Sequence, residues 1–304
     1  MSGAPKFVPY RPGSVLAIAG NDADAFLQGQ FTNDLQRPPG AAVYGLFLNQ
    51  KGKVVADAYA LKQRANEWTL VSRRCPAQTV FDRLTPYIIA DDVTITEETG
   101  ASAGITVFGE GAAERLARLI GAAPAAGAFG KSGDLLLFRR WRTGSEDFEI
   151  IGPAAACRAL AERLRVAGCA EATPAEVEYE RIRARVPSVP HDLSDGDLPN
   201  EGDIQDGAIS YTKGCYLGQE VMSRLKNLGQ VRRRLFVITG DGSVPLPGTP
   251  LFQGDRKVGE VRSTAQAHGQ FVAMAMLSLV NLDERRGLAL APDTAEDITI
   301  SDRV

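Results

Sequence analysis

The sequence predicts an α+β protein with a separate all-β domain at its carboxyl end. The chain has 304 residues, which at about 100–200 residues per domain corresponds to two or three domains. Predicted strands and helices alternate irregularly up to about residue 230, which favours an α+β fold over a doubly wound parallel sheet. Beyond that point, short strands separated by glycine or proline follow one another without a helical period, which is typical of a small barrel.

The first half of the chain begins with a short buried strand over residues 14–20 and continues into a helix. Asn21 is the predicted N-cap of that helix, and its apolar stripe ends near residues 33–34. Apolar periodicity then predicts strands over 54–61, 68–72, 93–98 and 105–109 and helices over 77–89 and 111–120. Residues 121–133 are rich in alanine, glycine and proline and predict a loop.

The second half contains the clearest helix start of the sequence. Thr173 is the predicted N-cap, Pro174 stands at the first helical position, and Glu176 completes a capping box. Two prolines end this helix, and residues 188–203 form a polar segment too rich in turn residues to be helical. Before it, the sequence predicts strands over 134–141 and 147–152 and a helix over 154–167 with Gly168 in the C′ position.

Composition excludes several classes of protein. Lys and Arg number 34 against 37 Asp and Glu, the formal net charge is -3 and the pI is about 5.6, so we expect no direct contact with nucleic acid. Two histidines and four cysteines without a CxxC pair exclude an imidazole-based zinc site and predict no stably bound metal. The cysteine pattern, without a recognisable signal peptide or membrane span, predicts a cytoplasmic protein.

One octapeptide, KGCYLGQE at residues 213–220, concentrates reactive side chains between two glycines that permit unusual backbone angles. Lys213 stands two positions before Cys215, and a nearby ammonium stabilises a thiolate. Glu220 and Arg224 are spaced to pair on one face of a helix. The same residues are typical of a tight turn into a helix with a packed cysteine and a solvated ion pair, so residue types alone leave both interpretations open.

The octapeptide with its trailing arginine resembles the signature of the YgfZ-type folate-binding family. That resemblance implies assistance to iron–sulfur cluster assembly or repair, and thereby support of tRNA modification. Further segments are similar to motifs of this family and together cover nearly the whole chain: FLQGQ (26–30), TND (32–34), LN (48–49), GKVV (52–55) with Asp57, GTPLFQGDRKVGEVRST (248–264) and AMAML (273–277).

The resemblance implies a fold similar to that of the folate-dependent aminomethyltransferase of glycine cleavage, in which three domains form a ring around a folate-sized opening. Carried onto this chain, the folate-binding domain is discontinuous and covers 1–45 and 140–225. A second α+β domain covers 46–139, and a C-terminal β-barrel domain covers 229–304. Residues 226–232 would form the hinge segment into the barrel.

Folate has a pterin edge that carboxylates and amides can read, and an anionic glutamyl tail that favours Arg or Lys. The resemblance implies that tetrahydrofolate, or a one-carbon derivative, contacts residues of these types on the matched segments: Gln28, Asn33, Asp57, Glu201, Lys213, Tyr216, Gln219 and Glu220. The candidates for the tail are Arg224, Arg232 and Arg233. Each of these side chains is also typical of a structural role in a turn or at a helix end.

Two departures from the aminomethyltransferase argue against glycine-cleavage chemistry. Where that enzyme's strand ends in an acidic doublet, this chain has Ala56 and Asp57, so one carboxylate is missing. Arg183 stands where the pterin-reading glutamate would fall. Exchanging a carboxylate acceptor for a guanidinium donor reverses the hydrogen-bond polarity, so a pterin cannot be held there in the same way.

Cys215 is the key candidate residue, with Lys213 and Asp57 as further candidate catalytic groups. One thiolate cannot hold a [4Fe–4S] cluster, which normally needs four, and the other three cysteines stand in packing contexts. We therefore expect Cys215 to act on iron or sulfur only in complex with iron–sulfur assembly or client proteins, or else to relay a one-carbon unit.

Three hypotheses follow. The favoured one is a monomeric, non-enzymatic folate-binding accessory protein of iron–sulfur cluster assembly or repair, with no membrane contact. The second is a folate-dependent one-carbon transferase for aminomethyl or methyl groups, with Asp57 as its acid/base group. The third is a protein-binding scaffold whose folate pocket is vestigial.

Overall fold

The computed structural model describes residues 4–121, 123–140, 146–267, 269–280 and 282–303, so residue 122 of the predicted loop and residue 141 of a predicted strand lie outside it. Contacts divide the chain into two compact units. The first unit consists of residues 1–51, 55–172 and 207–219, and the second of residues 52–54, 173–206 and 220–304. This division is coarser than the three domains expected from the sequence, whose boundaries stay a prediction.

The first unit contains two sheets. One has six strands in the order β11 (Ala170–Glu171), β1 (Lys6–Tyr10), β7 (Ser102–Phe108), β10 (Phe148–Pro153), β9 (Leu135–Arg139) and β8 (Phe129–Ser132). The other has five strands in the order β3 (Ala42–Leu48), β4 (Val54–Arg64), β5 (Glu67–Ser72), β2 (Ser14–Ala19) and β6 (Thr94–Glu97). Apart from the parallel pair β1 and β11, the pairs whose register is defined are antiparallel.

The described residues form seven α-helices: α1 (Ala23–Gln30), α2 (Ala77–Leu84), α3 (Ala112–Ile120), α4 (Ala154–Val166), α5 (Pro174–Arg183), α6 (Gln205–Ala208) and α7 (Gln219–Leu228). Short 3-10 turns occur at Thr85–Tyr87, Thr99–Ala101 and Pro199–Glu201. Among the helices described, none is both long enough and apolar enough to cross a membrane.

Helix α4 shows how the sequence pattern positions an element. Cys157, Leu160 and Leu164 follow the helical period and are buried against Phe148 and Ile150 of strand β10. Burial of each such leucine side chain contributes about 1.5–3 kcal/mol. The helix ends before Gly168, whose φ of 81° is the left-handed conformation that glycine adopts at C′, as predicted.

A second apolar cluster joins the two sheets of the first unit. Val15 and Val71 of the five-stranded sheet pack in it with Phe138 and Ile151 of the six-stranded sheet. The two sheets therefore share a core and hold the loops at their edges in a fixed relation.

The second unit contains helix α5 and a five-stranded antiparallel sheet. The sheet order is β13 (Pro250–Gln253), β14 (Arg256–Ala267), β15 (Gln270–Ser278), β12 (Arg233–Asp241) and β16 (Thr299–Arg303). Isolated bridges Phe252–Ala289 and Leu288–Ile298 link its two edges. These bridges close most of the sheet on itself, which gives the barrel-like shape and covers backbone groups that an open edge would expose.

The capping box of helix α5 is confirmed. The Thr173 hydroxyl accepts from the Glu176 amide at 3.2 Å, and the Glu176 carboxylate accepts from the Thr173 amide at 2.7 Å. Further along the helix, the buried Arg181 guanidinium pairs with Asp192 at 2.7 Å and Glu178 at 2.6 Å. Two carboxylates compensate this buried charge, which fixes the segment after the helix to α5.

Three local predictions were wrong. Helix α1 ends at Gln30, before residues 33–34, because Phe31 is already extended. Its N-cap is Asp22, and the side-chain amide of Asn21 instead donates to the carboxylate of Asp92 at 2.7 Å. The predicted loop over 121–133 contains strand β8, which pairs with β9. In each case a contact with another part of the chain decides the local structure: Thr32 with Ala208, Asn21 with Asp92, and strand β8 with β9. The local sequence does not contain these contacts, so it could not predict their effect.

Candidate functional site

The octapeptide begins with a lysine that is anchored to the end of helix α1. Nζ of Lys213 donates to the main-chain oxygens of Gln28 at 2.7 Å, Phe31 at 2.6 Å and Asn33 at 2.9 Å. The last carbonyls of a helix lack intrahelical partners, and a cation is favoured at that negative end of the dipole. The ammonium therefore fixes the start of the octapeptide to the FLQGQ and TND segments.

Burial lowers the pKa of Lys213 to about 8, while the Asp34 carboxylate acts in the opposite direction. Three carbonyl acceptors also favour the charged form, so the ammonium is the species present at neutral pH. Its three N–H groups are all engaged by main-chain oxygens. The predicted action of Lys213 on the Cys215 thiol stays a prediction, and the contacts found for the amine are structural.

Cys215 is exposed, whereas Tyr216 beside it is buried. The ring of Tyr216 lies 5.3 Å from Nζ of Lys213, within the range of a cation–π contact. Its hydroxyl is buried without a hydrogen-bond partner among the described residues, and burial raises the pKa of this phenol well above its ordinary value. The loop thus presents one thiol to solvent and holds one unsatisfied hydroxyl inside.

The two glycines of the octapeptide differ. Gly218 has a φ of 86°, in the left-handed region, and helix α7 begins at the next residue. Gly214 is not in that region, and a Cβ added there would meet nothing within 4 Å. The prediction of a special backbone role is confirmed for Gly218 and wrong for Gly214. The amide of Leu217 donates to the oxygen of Gly29 at 3.2 Å, a second contact between this loop and helix α1.

The predicted amide residues near helix α1 make hydrogen bonds within the first unit. Gln28 donates to Asp34 at 2.9 Å and accepts from the amide of Leu35 at 2.8 Å. Nδ2 of Asn33 donates to the main-chain oxygens of Tyr44 at 2.8 Å and Gly207 at 2.9 Å. These contacts hold the turn after α1, and the predicted contact of the two amides with folate stays a prediction.

Asp57 lies in a polar cluster at the middle of strand β4. Its Oδ1 accepts from the Ser72 hydroxyl at 3.1 Å and the Cys75 thiol at 3.3 Å, and its Oδ2 accepts from the Tyr44 hydroxyl at 3.1 Å. Burial raises the pKa of Asp57, and the three donors oppose that shift. Since the main-chain oxygen of Tyr44 also accepts from Asn33, Tyr44 links two predicted site residues.

Glu201 and Arg233 are joined to each other in the second unit. Nε of Arg233 lies 2.8 Å from Oε1 of Glu201, and its Nη2 lies 2.8 Å from Oδ1 of Asp197. Arg262 also reaches Asp197, at 3.2 Å. Both carboxylates are buried and compensated by these guanidinium groups. Folate contacts of Glu201 and Arg233 stay predictions, and any such ligand would have to share or replace this ion-pair network.

The remaining predicted residues are accessible in part. Gln219 is half-buried at the start of α7, and the exposed Glu220 and Arg224 pair at 2.5 Å with the predicted spacing. Arg232 is exposed, and Arg183 lies on the solvent side of α5 with its guanidinium carbon 5.8 Å from the ring of Tyr179. Screening by water makes such exposed pairs worth little for stability, so these side chains are free to take other partners.

Sequence reasoning missed several residues around the site. Tyr44, Ser72 and Cys75 surround Asp57, yet they come from two segments of the chain, strand β3 and the end of strand β5 with the turn after it. The buried Thr32 hydroxyl donates to the main-chain oxygen of Ala208 at 2.6 Å. This bond joins residues 1–51 of the first unit to its last segment, residues 207–219. The TND motif offered a signal for Thr32. No pattern in the sequence pointed to the other three.

The four cysteines are free thiols that differ in exposure. Cys75, Cys157 and Cys169 are buried, and Cys215 alone of the four is exposed. Burial raises the pKa of all three buried thiols. The search for groups of three or more metal-ligating side chains found none within the described ranges.

Two family models match the chain. The model described as GCVT N-terminal domain matches residues 14–206, and the model described as CAF17, C-terminal beta-barrel domain, matches residues 232–302. In the solved structure of glycine cleavage system aminomethyltransferase T from Bartonella henselae, the same fold recurs with a TM-score of 0.78 at 19% identity, over 92% of this chain and 80% of that one. These matches define a GCVT-type protein with a CAF17-type barrel and confirm the predicted fold class.

Curated relatives narrow the assignment. The tRNA-modifying protein YgfZ of Edwardsiella ictaluri is 30% identical over 240 residues, which cover 73% of this chain and 67% of that protein. The aminomethyltransferase of Geobacillus kaustophilus is 26% identical over 265 residues, covering 83% and 72%. The YgfZ protein of Klebsiella pneumoniae is 27% identical over 274 residues, covering 87% and 83%. The chain belongs to the YgfZ family.

Proposed function

We propose that this chain binds tetrahydrofolate and assists iron–sulfur cluster assembly or repair in client enzymes, without turnover of its own. The two YgfZ relatives are named tRNA-modifying proteins, and we infer that the clients include an iron–sulfur enzyme of tRNA modification. The chain acts as a cytoplasmic monomer and reaches tRNA only through such a client.

The observation that carries this proposal is the geometry of the octapeptide. Lys213 and Leu217 fix the loop to helix α1 on both sides of an exposed Cys215. A thiol that is accessible on an anchored loop is suited to contact a partner protein or its cluster. The buried cysteines are unsuited to that role, since a buried thiol reacts and ligates poorly.

Tetrahydrofolate fits one unmet requirement of the site. A buried hydroxyl without a partner costs about 1–3 kcal/mol, and the Tyr216 hydroxyl is such a group. A polar atom of the bound pterin or its linker would satisfy it.

Calorimetric titration with tetrahydrofolate tests the binding half of the proposal. We expect saturable binding, and about 2- to 10-fold weaker binding by Tyr216→Phe, because one neutral hydrogen bond contributes about 0.5–1.5 kcal/mol. Cys215→Ala should bind folate like the unmodified chain. A titration without heat or with no saturation would contradict the proposal and favour a scaffold.

Complementation of a strain that lacks this protein tests the second part of the proposal, the assistance to iron–sulfur enzymes. We expect Cys215→Ala to leave the fold and folate affinity unchanged and to abolish support of iron–sulfur enzymes in cells. Cys157→Ala serves as the matched control, because that thiol is buried in the apolar core. Full activity of the client enzymes in the Cys215→Ala strain would overturn the role given to Cys215.

A folate-dependent one-carbon transferase is the second candidate, and the Asp57 cluster favours it. A carboxyl group whose pKa is raised by burial is better matched to proton transfer near neutral pH than an exposed one. This alternative predicts methylenetetrahydrofolate formation from an amine substrate and its loss in Asp57→Asn. If the protein turned over none of a panel of methylamines, the transferase hypothesis would be contradicted and the accessory function would be favoured.

A further inference from the structure

A groove separate from the octapeptide lies in the first unit, between helix α4 and the ends of strands β1 and β7. It has a volume of about 880 Å³, within the range of small-molecule sites. One wall is the face of α4 that carries Arg158, Ala161, Glu162 and Arg165. The facing wall is formed by residues 9–12, 99–100 and 102–105. We call this feature the α4 groove.

The charges of the α4 groove are unbalanced. Its lining contains three arginines and one glutamate. Arg165 is engaged by Glu162 and, at 2.6 Å, by Glu171. Arg11 and Arg158 are exposed, and within the described part of the chain their side chains make no ion pair or hydrogen bond. Two arginines without an ion-pair partner among the described residues, one from each wall, therefore line the same groove.

The rest of the lining is largely apolar. Pro9, Pro12, Ala103, Ile105 and the buried Cys157 contribute to it. The hydroxyls of Thr99 and Ser102 are already hydrogen-bonded to the main chain. The Thr99 hydroxyl accepts from the Val15 amide at 3.0 Å, and the Ser102 hydroxyl donates to the Glu98 oxygen at 2.8 Å. The groove thus offers an apolar wall for the body of a ligand and two cations for an anionic end.

We propose that the α4 groove binds a small organic phosphate, with the phosphate between Arg11 and Arg158 and the apolar body along the proline and alanine residues. Guanidinium groups pair with phosphate oxygens in a bidentate manner. A phosphate monoester carries close to two negative charges at neutral pH, which matches two uncompensated arginines better than a single carboxylate does. The groove shares no lining residue with the octapeptide or the Asp57 cluster, so the proposal is independent of folate binding.

Fluorescence titration of the full chain with 4-methylumbelliferyl phosphate tests the assignment. We expect saturable binding that Arg11→Gln and Arg158→Gln each weaken about tenfold, since each removes a charge-assisted hydrogen bond. The matched control is Arg163→Gln, which removes an exposed cation of the same helix outside the groove and should leave binding unchanged. Saturating tetrahydrofolate should not displace the probe.

Three related probes separate the parts of the proposal. The sulfate ester has one negative charge and should bind about tenfold more weakly than the phosphate ester, while inorganic phosphate and 4-methylumbelliferone alone should each bind more weakly than the ester. No saturable binding of the phosphate ester, or binding that is unchanged in Arg158→Gln, would overturn the assignment. Inorganic phosphate binding as tightly as the ester would overturn the role of the apolar wall.

Discussion

Nζ of Lys213 lies 2.6 Å from the main-chain oxygen of Phe31, the C-cap residue that follows helix α1. The two residues are 182 positions apart in the chain. This contact joins the octapeptide to the residue between the FLQGQ and TND segments, which are far from it in the sequence. Because the ammonium also reaches Gln28 and Asn33, one side chain determines where the Cys215 loop begins.

Lys213→Met should release that loop. The substitution keeps a long apolar stem and removes three hydrogen bonds to carbonyls, so we expect a loss of about 1–2 kcal/mol in the free energy of unfolding. Hydrogen exchange at the amide of Leu217, which donates to Gly29, should become at least tenfold faster. Lys226→Met, a change at an exposed lysine of α7, is the control and should leave the Leu217 amide protected. Equal protection in both variants would show that Lys213 does not anchor the loop.

Thiol accessibility gives a second prediction. In the native protein, a maleimide reagent should label Cys215 within minutes, because it is exposed, and should label Cys75, Cys157 and Cys169 only after unfolding. Mass spectrometry of the intact chain would then show one fast adduct, which Cys215→Ser removes. Two or more fast adducts in the native state would contradict the burial of the other thiols.

These contacts show what local sequence can and cannot predict. The capping box at Thr173 and the Glu220–Arg224 pair were predicted and are confirmed, because their partners lie three or four residues apart. The end of helix α1 was predicted wrongly, since Thr32 bonds to Ala208, 176 residues away. Family resemblance supplied the fold and the key motif. It did not supply the hydrogen-bond partners of Lys213 or Asp57, because those depend on how segments distant in the sequence pack together.

The buried arginine of helix α5 gives a third prediction. Arg181→Met leaves Asp192 and Glu178 without their cation, and removing one partner of a buried ion pair costs about 3–5 kcal/mol. Arg183→Met changes an exposed arginine two positions further along the same helix and should alter stability by less than about 0.5 kcal/mol. Urea unfolding of both variants measures the difference. Similar midpoints for the two would mean that the Arg181 network does not stabilise the second unit.

The Asp57 cluster gives the last prediction, a pH dependence. Burial raises the pKa of Asp57 above its ordinary value of 3.8, so between that value and the raised one the folded chain holds a proton that the unfolded chain has lost. The contribution of Asp57 to stability is therefore present at low pH and falls as pH rises through this window. Asp57→Asn cannot ionise, so its stability relative to the unmodified chain should increase from pH 4 towards neutral pH, as measured by urea unfolding at each pH.

Removal of a hydrogen-bond donor to Asp57 should change the pH range in which the stability falls. The thiol of Cys75 and the hydroxyl of Ser72 lower the pKa of Asp57 by stabilising its charged form. Cys75→Ala or Ser72→Ala removes one donor each, so the carboxyl group should keep its proton to a higher pH and the fall in stability should shift upward. If the stability difference between Asp57→Asn and the unmodified chain is constant with pH, Asp57 does not titrate in this range, and its suitability for proton transfer is lost with it.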